Sequence, residues 1–173
     1  MPYSVWKNGE KVGETRLELS PAPRKRAGVF HPTAFGLTVL PGITAMVPAL
    51  FDFGALCEAH GFDVEDDRPE TGERAFETFA NTPEGQRVQA AAGCIAELEL
   101  RDPAGRAVKW ESLMISDMTA IIELAGRRRP NAVDQLKTLP GDPIRFMISA
   151  TLADKSSARR ASVLGAVDPI GVS

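Results

Sequence analysis

The chain has 173 residues, 43% hydrophobic and 25% charged, with a formal net charge of −3. That length supports one sizeable core and is short for two, and the composition matches ordinary soluble globular proteins. The acidic balance gives no general attraction for nucleic acid or an anionic membrane, residues 1–7 lack the basic start and apolar core of a signal peptide, and two cysteines are too few for a disulfide framework, so a reduced, cytoplasmic setting is expected.

Residues 3–19 read as a β-hairpin turning at Asn8-Gly9, because both turn positions need positive φ. Tyr3 and Val5 share a face with Val12, whereas Leu17 and Leu19 fall on the opposite parity. A bulge near Gly13 would restore the register. Residues 20–26 (SPAPRKR) read as a solvated loop. In 29–40 two patterns compete. Pro32-Thr33-Ala34 can open a helix, and Leu37 to Leu40 can form a short buried strand; so short a run does not separate them. Leu40-Pro41-Gly42 reads as a turn.

The segment 48–60 reads as a central helix. Pro48 suits its first turn, Gly61 suits its end, and Ala49, Leu50, Phe53, Leu56 and Cys57 recur at helical spacing. It is apolar nearly all round, so the expectation is that 48–60 is sealed inside with sheet packed over it. No apolar span of about 20 residues escapes Pro or Gly, and on that ground no membrane helix is expected.

Residues 62–72 read as an acidic surface loop. Residues 73–79 follow at helical spacing, and Thr82-Pro83 caps a helix running to about Ala92, with Gly93 closing it. Cys94, Ala96, Leu98 and Leu100 alternate with polar residues, which predicts a strand over 94–102. Asp102-Pro103-Ala104-Gly105 is a turn, and 108–115 returns as the partner strand. Residues 118–124 read as a strand or a helix. Asn131 is expected to cap a short helix carrying Ala132, Val133, Leu136 and Leu139, and 144–152 reads as a strand with Ile144, Phe146, Ile148 and Ala150 inward. The tail beyond Asp154 is basic, then apolar, as a last strand or a docked helix.

Strands at both ends with helices between them predict an α+β fold: a mainly antiparallel sheet of about six strands on a buried central helix, with further short helices. One globular domain over 1–173 is expected, with 43–93 as a candidate helical insertion.

Chemistry-bearing motifs are sparse. No phosphate loop, dinucleotide fingerprint, nucleophile elbow or paired CxxC occurs, and no cofactor is expected. The catalytic candidates are His31, beside Thr33 or with Ser112, and His60, each needing an acidic partner. Cys57 and His60 are three apart and, with His31 and Cys94, would supply the sulfur and nitrogen donors zinc favours. Their spacing fits no standard finger, and a small buried thiol and a histidine at a helix C-terminus are the plainer readings. Asp63, Glu65, Asp66 and Asp67 carry oxygen ligands but lack the glycine and spacing of a calcium loop. Arg127, Arg128 and Arg129, with Arg24-Lys25-Arg26 and Arg159-Arg160, form an anion-binding surface if they converge. Few aromatics accompany them, which argues against nucleic acid.

An ample apolar supply without a catalytic constellation points to a non-enzymatic domain that contacts a protein partner or copies of itself. The hairpin edge at 3–19 and the tail at 163–172 are the expected pairing elements. The alternatives are a small hydrolase-like enzyme using a histidine/acid pair, and an anion or nucleic-acid binder using the arginine runs.

Overall fold

The computed structural model describes residues 1–62, 69–128 and 145–153. The chain opens with the expected hairpin. Strands β1 (Tyr3–Lys7) and β2 (Glu10–Thr15) meet at Asn8-Gly9, whose φ values of 52° and 80° are the left-handed pair this turn requires. Val5 lies opposite Gly13 and Trp6 opposite Lys11, so Val12 is the extra residue of a bulge. Its side chain is fully buried and its carbonyl accepts the Thr33 N–H at 2.9 Å.

Residues 20–26 are not a loop. β3 (Leu19–Ala22) and β4 (Lys25–Pro32) form a second hairpin. Pro21 is tolerated there because β3 pairs only with β4 among the described residues, leaving an edge that needs no N–H. The turn is held by the Arg26 guanidinium, which donates to Ser20 Oγ at 2.7 Å and to the Lys25 carbonyl at 2.9 Å. β2 and β3 pair with successive parts of β4 and follow it as one strand interrupted at 16–18. Leu17 takes a φ of 51° in that interruption. Gly28 faces it across the ladder, and a Cβ there would stand 2.5 Å from Glu18 Oε2 and 2.9 Å from the Leu17 nitrogen.

Of the two readings for 29–40, the structure takes the helix. Thr33 caps α1 (Ala34–Thr44): its Oγ1 accepts the Gly36 N–H at 3.0 Å and donates to the Lys11 carbonyl at 2.6 Å. Leu40-Pro41-Gly42, read as a turn, lies inside α1. An interior proline costs roughly 3 kcal/mol, and burial of Leu40 and Ile43 on either side, about 1.5–3 kcal/mol each, offsets it. A single residue, Ala45, separates α1 from α2 (Met46–Ala59), and its backbone is itself helical. Residues 34–59 therefore run as one helical stretch of 26 residues, interrupted only at Ala45.

The sealed central helix expected at 48–60 is corrected in position. The helical residues that fill the sheet interior are Leu40 and Ile43 of α1, with Ile95 of α4 (Pro83–Ala96). In α2 only Ala49 and Cys57 are buried, and Leu50 is 43% exposed. Because α1 already occupies the interior, α2 is left in an outer layer, tied to α4 by Arg87–Asp52 at 3.2 Å.

α3 (Pro69–Phe79) covers the predicted 73–79 but also takes in 69–72, read as the end of the acidic loop, while Thr82 caps α4 with Pro83 at the first position, as expected. α4 runs past Gly93 to Ala96, so Cys94 and Ala96 are helical and β5 spans only Leu98–Arg101. The helical spacing of buried Val88, Ala91 and Ile95 outweighs the alternation at 94–100. Asp102 builds the predicted turn, accepting the Ala104 and Arg106 N–H groups at 2.9 Å each.

The return strand is split. β6 (Ala107–Val108) pairs with β5, but β7 (Trp110–Asp117) pairs with β8 (Phe146–Leu152) instead. Residues 118–124 are helical, in α5 (Met118–Arg128). The ladder runs β6-β5-β1-β2-β4-β8-β7, antiparallel throughout. Its two ends, β6 and β7, are separated by Lys109 alone, whose carbonyl accepts the Ala153 N–H at 3.1 Å. The sheet thus closes on itself. The fold is α+β with an antiparallel sheet of eight strands rather than about six; the surplus comes from β2/β3 and β6/β7, each one strand interrupted once.

Val5, Phe30, Leu100, Ile115 and Ile148 point into this enclosure and are at most 2% exposed. Phe146, Ile148 and Ala150 are inward, as the alternation of β8 predicts. The acidic cluster at 63–67, the helix expected from Asn131, Ile144 and the tail from 154 lie outside the described residues.

Candidate functional site

The two histidines stand on separate elements. His31 is on β4, exposed, and registered opposite Glu14 of β2. That carboxylate is already paired with Lys11. His60 caps α2, with Nδ1 2.9 Å from the Leu56 carbonyl and its ring centroid 5.0 Å from that of Phe79. The helix terminus and the aromatic neighbour account for its position.

Around Phe79 lies a second, smaller core. Cys57, Ala75 and Phe79 are buried there, with Phe53, Leu56 and Phe62 packed against them. The rings of Phe62 and Phe53 approach Phe79 edge-on at 5.5 and 6.4 Å, a favoured aromatic geometry. Burial raises the Cys57 thiol above its ordinary pKa, and the neighbouring Glu58 carboxylate raises it further. A thiol so placed stays protonated, which suits neither a nucleophile nor a ready metal ligand. Cys94 packs against the other core, beside Gly42. The four candidate zinc donors are therefore not brought together, and among the described residues no group of three or more His, Cys, Asp or Glu is placed to hold a metal ion.

The first basic run sits on the β3–β4 hairpin. Arg24 pairs with Glu111 at 2.6 Å, and Arg26 is spent on its own turn. The backbones of Arg127 and Arg128 end α5; their side chains, and Arg129 and Arg159-Arg160, lie outside the described residues, so convergence of the runs is not part of the described structure. The hairpin edge expected to pair across an interface is closed, since β1 lies between β5 and β2, and β2 between β1 and β4.

Among the described residues, one side of the 34–59 helix stays exposed. Ala34, Leu37, Pro41 and Ala45 are all exposed at steps of three and four residues, and Leu50 is a separate exposed apolar position on α2. No charged residue occurs from 34 to 51. Leu37 is 53% exposed, and among the described residues only Leu19, Leu50 and Met1 join it as large exposed apolar side chains. Sequence periodicity missed this face because no charged residue from 34 to 51 marks the solvent side, and Thr38 and Thr44 are too few to distinguish inside from outside. The chain matches no known protein-family model, no curated protein and no solved structure.

Proposed function

We propose that the chain is a non-enzymatic domain that works by contact with protein, a partner or further copies of itself, through the outer face of the 34–59 helix. One observation carries this reading: in an apolar 18-residue window of that helix, only 28% of the window is buried, and Leu37 is 53% exposed. Apolar surface left in water on a helix that carries no charge from 34 to 51 favours association.

The same 26 residues are long and apolar enough to cross a membrane by length and composition. A spanning role would withdraw Leu40 and Ile43 from the sheet interior, at about 1.5–3 kcal/mol each. It would also break the anchor between Thr33 and the Lys11 and Val12 carbonyls. A face that docks while its opposite side stays in the core retains those contacts.

The test is sedimentation velocity and native mass spectrometry of the wild type and of the double variant Leu37→Asp/Leu50→Asp, with thermal melting to confirm folding. Association by the wild type that is lost in an equally stable variant supports the reading. A wild type that stays monomeric at every concentration and retains no protein from extract overturns it.

A further inference from the structure

We draw no further inference here: the strongest candidate, the uncharged outer face of the 34–59 helix at Leu37, Pro41 and Ala45, belongs to the surface already described, and nothing in the structure shows which molecule covers it.

Discussion

Gly36→Ala tests how the 34–59 helix is held to the sheet. A Cβ at this position would stand 1.9 Å from the Val12 carbonyl oxygen, against the 3.0 Å that real Cβ contacts require. That oxygen belongs to the β2 bulge and cannot swing away like a flexible side chain, so the first turn of α1 must retreat. Retreat stretches the Thr33 N–H bond to Val12, now 2.9 Å, and the Thr33 hydroxyl bond to Lys11, now 2.6 Å. Two such bonds contribute about 1 kcal/mol each, and forced overpacking adds about 1–3 kcal/mol. Alanine's better helix propensity returns about 1 kcal/mol. The expected net loss is about 2–4 kcal/mol, a large share of a stability of roughly 5–15 kcal/mol. Gly54→Ala in α2 is the matched control: a Cβ there meets nothing within 4 Å, and a gain of about 0.5–1 kcal/mol is expected. Urea unfolding followed by circular dichroism reads both midpoints. If Gly36→Ala unfolds at or above the wild-type midpoint, the docking of α1 on the bulge is wrong.

Thr33→Ala removes the α1 cap and should lower stability by about 1–2 kcal/mol in thermal melts, while Thr33→Ser, which keeps the hydroxyl, should recover most of it. Cys57 should resist alkylation in the folded protein and react once unfolded. Since burial raises its folded pKa above 9.0, its contribution to stability is full below that pH and is lost as pH rises through the folded value. Wild type should therefore lose more stability than Cys57→Ala between pH 9.0 and the alkaline limit of folding, and equal losses would contradict the buried placement. On heparin at physiological salt the protein should flow through; retention abolished by replacing Arg127, Arg128 and Arg129 would assign an anion surface instead.

How much was legible in the sequence depended on whether the signal was local. Asn8-Gly9, the Thr82-Pro83 cap and the Asp102–Gly105 turn were readable because a few neighbouring residues dictate their backbone. The bulge was readable too, from the parity clash between Val12 and Leu17, although the extra residue is Val12 itself. Pro41 misled because a proline marks a break only when tertiary burial does not override it, and Leu40 and Ile43 supply that burial. The alternation at Cys94–Leu100 misled because a small apolar set fits period 2 and period 3.6 at once over so few residues. Pairing of β7 with β8 rather than β5 is a long-range choice that no local pattern encodes. The candidate surface fell into the same gap. An apolar stretch says that burial is wanted, and only the packing of one side of α1 against the sheet says which residues of 34–59 fail to obtain it.

The most direct measurement is the sedimentation coefficient of the wild-type chain and of Leu37→Asp/Leu50→Asp across a hundredfold range of concentration. The account predicts assemblies in the wild type that disappear in a variant melting at the same temperature. A wild type and a variant that sediment alike, both as monomers that capture no protein, would contradict it.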